Sequence, residues 1–188
     1  MFQHLKTNHF IYYEKIVLIA AIAVCGMFSA NAQEESGQTS KGKWLVEANT
    51  NFGAAHAANT GISFYSVNGN TSYSVGFEGG YFVMDNLAIK AGLGYQGSDS
   101  DAPGSSSFSY KVGGKYYILG NIPVQLDYSG ASIKDYDENP SYLGFQAGYA
   151  LFLGEKVSVE PGLRYNMSMN DDFYESVFQI NVGFALHF

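Results

Sequence analysis

From Lys43 to the last residue the chain alternates, apolar on one side and small or polar on the other. The period is two, the signature of half-buried strands, and no segment of this region has the 3.6-residue period of an amphipathic helix. Eight alternating segments stand out, at 44–52, 72–81, 87–96, 108–118, 122–129, 143–151, 157–166 and 177–188. Each has close to the 9–11 residues that a tilted strand needs to cross hydrocarbon. The connections alternate in length. Those at 83–86, 120–121 and 154–156 are tight, while those at 53–70, 97–107, 130–140 and 168–175 are longer and polar. Short turns at one end and long loops at the other predict an all-β, up-and-down antiparallel eight-stranded transmembrane β-barrel, with both chain ends on the short-turn side. Asn68-Gly69, between 62–67 and 71–75, is a hairpin signal. It is read as the first hairpin extended above the membrane, with an added strand pair as the alternative that would change the count of eight.

The two faces differ in kind. In none of the eight segments does the apolar face carry a charge. The other face holds Gly76, Gly80, Gly92, Gly94, Gly113, Gly144, Gly148, Gly162 and Gly183 among Ser, Ala, Asn and Gln. Glycine on the outside of a soluble barrel would only weaken its strands. Inside eight strands small residues are required, because the bore is only wide enough for side chains to fill. The glycine face is therefore read as the interior and the apolar face as the lipid side. The interior then receives Glu47, Glu78, Asp127 and Glu160 against Lys90, Lys111, Lys115 and Arg164, four of each sign. Charges withdrawn from water must be paired and hydrogen-bonded. A nearly neutral salt-bridge network closing the bore is the expectation, and a charged path for small solutes is the alternative. Trp44, Tyr81, Tyr116 and Phe188 sit toward the short turns. Phe52, Tyr73, Tyr95, Tyr110, Tyr128 and Tyr165 sit toward the loops, as interfacial rings would.

Residues 1–32 read as a cleaved signal peptide. A weakly basic stretch to Lys15 precedes the apolar run 16–28, and Ala30-Asn31-Ala32 forms an A-x-A cleavage site. That run is too short to span a bilayer as a helix. Cys25 lies inside it behind the bulky Val24, which favours a small apolar residue lost with the leader over a lipidated cysteine. Residues 33–42 read as a flexible polar tail and 43–188 as the barrel domain. The chain has 188 residues, a net charge of −7 and one cysteine. Those values exclude a disulfide framework and a multi-cysteine metal site. A basic nucleic-acid surface is excluded as well.

At this point the chain resembles the small eight-stranded outer-membrane barrels, the family of the OmpA transmembrane domain and OmpX. The likeness is one of pattern over 43–188. Its sharpest element is the final strand, where Asn181, Gly183, Leu186 and the terminal Phe188 are similar to that family's C-terminal assembly signal. The resemblance implies an integral protein of the bacterial outer membrane, embedded among its lipid and lipopolysaccharide and inserted by the barrel-assembly machinery, with periplasmic termini. It also implies no cofactor. Unlike full-length OmpA-type proteins, the chain ends at the barrel, with no peptidoglycan-binding domain expected after it.

Three roles compete. An enzyme would need a nucleophile beside a positioned base. After leader removal only His56, in the first long loop, and His187, at the opposite end, remain, and no Ser/His/Asp spacing stands out. A binding or adhesion role would use the loops, which carry Asp99, Asp101, Asp135, Asp137, Glu138, Asp171, Asp172 and Glu175 against Lys134 alone. Such a rim could hold divalent cations or a basic partner. Asp99-Ser100-Asp101 and Asp135-Tyr136-Asp137 nevertheless lack the glycine and distal glutamate of a calcium loop. The third role, a mainly structural membrane protein with a narrow plugged lumen, needs nothing more than the sequence displays. It is the reading preferred here.

Overall fold

The computed structural model describes residues 37–50, 61–67, 70–99 and 106–188. The strands are β1 (Trp44–Asn49), β2 (Ile62–Val67), β3 (Asn70–Met84), β4 (Leu87–Asp99), β5 (Ser106–Ile118), β6 (Ile122–Ile133), β7 (Ser141–Gly148), β8 (Leu151–Phe152), β9 (Val157–Ser168) and β10 (Val177–His187). Every pairing is antiparallel. The sheet closes because β1 bonds both β10 and β3. No helix among the described residues is long and apolar enough to cross a membrane.

Ten strands make eight staves. β1 pairs with the lower part of β3, Trp44 opposite Tyr81 through Glu47 opposite Glu78. β2 pairs with its upper part, Ile62 opposite Val75 through Val67 opposite Asn70. The two occupy successive stretches of one stave, so the Asn68-Gly69 hairpin lengthens the first hairpin and adds no new stave. The first strand was expected to reach Phe52; β1 ends at Asn49, and residues 51–60 lie outside the described residues. β7 and β8 likewise share the sixth stave. Its expected run, 143–151, breaks at Tyr149-Ala150, opposite Pro161, which has no N–H to give the ladder. Ala150 turns its N–H instead to the carbonyl of Asn121.

The alternation predicted for each face is observed. On β3 the odd residues from Tyr73 to Tyr81 are exposed and the even ones from Ser74 to Phe82 are buried. On β10 Phe178, Ile180, Phe184 and Leu186 face out, while Gln179, Asn181, Ala185 and His187 are buried. The short turns use left-handed backbone at Asn86, Leu119, Gly120 and Gly154, as two- to four-residue reversals require. Trp44 packs on Tyr81 at 5.0 Å outside the short-turn end. Tyr73 with Tyr95 and Tyr110 with Tyr128 do so toward the loops.

The stretch read as a flexible tail is structured from Gly37 onward. Gly37–Thr39 forms a 3-10 turn in which Gln38 and Thr39 are buried. Their polar side chains find partners on the barrel rim, which solvent would otherwise supply.

The glycines separate by face. A Cβ on the outward Gly79 would meet nothing within 4 Å, whereas one on the inward Gly113 would lie 2.3 Å from the Leu126 carbonyl oxygen. Gly79→Ala is therefore expected to raise stability by about 0.5–1 kcal/mol through lower unfolded-chain entropy. Gly113→Ala should lower it. Urea midpoints of the micelle-folded protein would show the opposite signs.

Candidate functional site

The eight charged residues singled out by pattern all project into the bore, and none is more than 7% exposed. Six form one alternating chain. Lys111 bonds Glu78 at 2.7 Å, Glu78 bonds Lys90 at 2.8 Å, and Lys90 bonds Glu47 at 3.0 Å. Lys115 then bridges Glu47 at 2.6 Å to Glu160. The remaining two form a bidentate pair, with Arg164 donating Nη1 to Asp127 Oδ2 at 2.7 Å and Nη2 to Oδ1 at 2.5 Å. Gln125 ties the groups together: its Oε1 accepts from Lys90 at 2.9 Å, and its Nε2 donates to Asp127 at 2.7 Å.

Strand register explains why this works. Glu47 and Glu78 stand directly opposite across β1 and β3, an arrangement that like charges make unfavourable. Lys90 resolves it by touching both. Long side chains need lateral room, and the glycines supply it. Lys90 lies between Gly80 and Gly113, Asp127 between Gly113 and Gly144, and Gly92 between Glu78 and Lys111. At Gly144 a Cβ would fall 2.0 Å from Arg164 Nη2. Toward the loops an amide ladder continues the network. Arg164 donates to Asn166 at 2.8 Å, Asn166 to Gln179 at 2.7 Å, and Asn181 to Gln146 at 3.0 Å.

Toward the short turns the bore becomes apolar. Leu45, Phe82, Ala88, Tyr117, Ala150 and Ala185 form a buried cluster. The His187 ring sits among Phe82, Tyr117 and Phe152. Spacing along the chain gave no hint of a Ser/His pair, yet Ser158 Oγ lies 3.0 Å from His187 Nε2 and donates to Glu160 at 2.8 Å. Register made the pair: Ser158 faces Ala185 across β9 and β10, one inward position from His187. Both residues are fully buried and Glu160 accepts as well from Tyr117 at 2.9 Å, so the trio is woven into the packing. His56 lies outside the described residues.

The assembly-signal residues alternate as their strand does. Asn181 and Gly183 point inward, Leu186 and Phe188 outward, and Phe188 exchanges both backbone hydrogen bonds with Trp44. Of the acidic loop residues, Glu138 joins two loops by accepting from Tyr174 OH through its carbonyl at 2.7 Å. Among the described residues, no group of three acidic, His or Cys side chains is placed to hold a metal ion. Asp101 lies outside the described residues.

The chain matches no known protein family and no curated protein. Solved structures are similar in outline. Neisserial surface protein A superposes with a TM-score of 0.48 and 13% identity, over 79% of this chain and 98% of that one. OprG from Pseudomonas aeruginosa gives 0.46 and 10%, over 80% and 98%. The N-terminal β-barrel domain of OprF from the same organism gives 0.44 and 14%, over 79% and 98%. Identities this low assign no residue of those proteins a counterpart in this chain.

Removing one partner from the network leaves charge stranded in the bore. Lys115→Met, which deprives both Glu47 and Glu160, should destabilise the barrel by about 3–5 kcal/mol. Adding Glu160→Gln should restore part of that loss. Denaturant titration followed by Trp44 fluorescence measures both.

Proposed function

We propose that this protein is an integral outer-membrane barrel whose role is mainly structural, its bore closed by the salt-bridge network. The observation that carries the reading is the division of side chains between the two surfaces. Residues such as Phe77, Leu93, Val112, Leu163 and Ile180 are more than half exposed on a wall that presents no charged side chain among the described strand residues. All eight strand charges named above are buried inside. A wall that exposes so many large apolar side chains is stable against acyl tails and would aggregate in water. Backbone satisfaction points the same way, because a closed barrel is one of only two architectures that leave no unpaired strand edge in hydrocarbon.

The N-terminal leader and the terminal assembly signal fit export to the outer membrane, with the short-turn end facing the periplasm. Lipid and lipopolysaccharide would be the surrounding partners, and the assembly machinery a transient one. The network favours a plug over a pore. Each carboxylate in it holds a cation directly, Lys115 on β5 reaches across the bore to Glu47 on β1 and Glu160 on β9, and the apolar cluster fills the level below.

Spin labels at Val112→Cys and Leu163→Cys in liposomes should be relaxed by oxygen and shielded from an aqueous nickel chelate. The reverse preference would remove the membrane assignment. In planar bilayers the protein should show no porin-sized conductance; such steps would refute the plug while leaving the membrane location standing.

A further inference from the structure

The short-turn mouth of the bore is crossed by a segment of the chain itself. Thr39 accepts from the Asn86 amide at 2.8 Å through its carbonyl, and its hydroxyl lies 2.5 Å from Asn86 Oδ1. Lys41 donates its amide to Asp85 at 2.8 Å, and Gly42 donates to the Phe82 carbonyl at 2.8 Å. All of these lie on or beside the β3–β4 turn. On the other side, the Gln38 side chain donates to the carbonyl of Gly154, in the β8–β9 turn. In the ring of eight staves those two turns are four staves apart, so the segment spans the mouth from one side to the other. Midway, the Gln38 carbonyl faces His187 Nδ1 at 3.2 Å. Directly beneath lie the rings of Phe82, Tyr117 and Phe152, and below them Ser158 and Glu160.

We propose that Gly37–Gly42 is a crossbar that closes this mouth and releases as a unit while the barrel stays closed, admitting small solutes to the His187–Ser158–Glu160 level. Its composition sets the order of release. Gly-Gln-Thr-Ser-Lys-Gly contains no apolar side chain, so polar hydrogen bonds at three rim points hold it and little apolar burial does. The staves below are joined by continuous ladders of eleven or more register pairs in β3–β4, β4–β5 and β5–β6. Segments with few apolar contacts open at lower free energy than ladder cores. His187 Nδ1 faces the Gln38 carbonyl at 3.2 Å and Nε2 faces Ser158 Oγ at 3.0 Å, so both its nitrogens have a polar neighbour only with the crossbar docked. The crossbar belongs to the barrel itself, in detergent micelles as in a membrane.

Hydrogen exchange on the unaltered chain is the first test. The Asn86 and Gly42 amides should exchange together, roughly tenfold or more faster than amides within β5 and β6. Exchange of both only at the rate of those strands would overturn a separable crossbar. Diethyl pyrocarbonate labelling of His187, read by peptide mass spectrometry, is the second. His187 should be labelled at least about tenfold more slowly in the intact protein than in the Asp85→Ala/Asn86→Gly variant, which loses rim anchors but keeps the left-handed turn. Equal rates would show that the segment does not close the mouth. Should the variant fail to fold, the exchange measurement on the unaltered chain still decides.

Discussion

Everything in this barrel depends on filling a bore that eight staves make too narrow for bulk water and too wide to leave empty. Apolar residues could fill it, and near the short turns they do, with Leu45, Phe82 and Tyr117. Along the middle the chain uses four cations and four anions instead. Such a core is tolerable only with nearly complete pairing, since one unpaired buried charge costs more than a well-made pair returns. That demand explains why Lys90 and Lys115 each hold two carboxylates, and why Gln125 links the Asp127–Arg164 pair to the rest.

Room for these long side chains comes from their neighbours across the ladder. Gly80, Gly92, Gly113 and Gly144 lie beside Lys90, Glu78 or Lys111, and Asp127 in the strand register. Glycine lowers the stability of a strand, and here the loss is offset by ion pairs that a methyl group would prevent from closing. The arrangement gives the protein a rigid interior and leaves its variable chemistry to the two ends. One end carries the acidic loops, and the other the crossbar over His187.

Much of this is legible in the sequence. The two-residue period, the alternation of short and long connections, and the restriction of charge to one face required a closed barrel with an apolar exterior. They also named the eight bore charges. The correspondence is close because a strand turns each successive side chain to the opposite face, so facing is a property of position along the chain. Where the reading failed, the cause lay in neighbours it could not see. Pro161 interrupts the sixth stave from the strand opposite.

Thus the sequence by itself determined the fold, the faces and the inventory of the interior. Tertiary structure alone decided the partnerships: Lys90 between two opposed glutamates, Ser158 beside His187, and Gln38 reaching to Gly154 and His187. The physical reason is that periodicity is local, whereas register and barrel closure bring together residues up to 149 positions apart. A polar stretch such as Gly37–Gly42 has the composition of a loose tail. It becomes a closure only because a ring of turns presents carbonyl, amide and carboxylate groups at the spacing its own groups can meet.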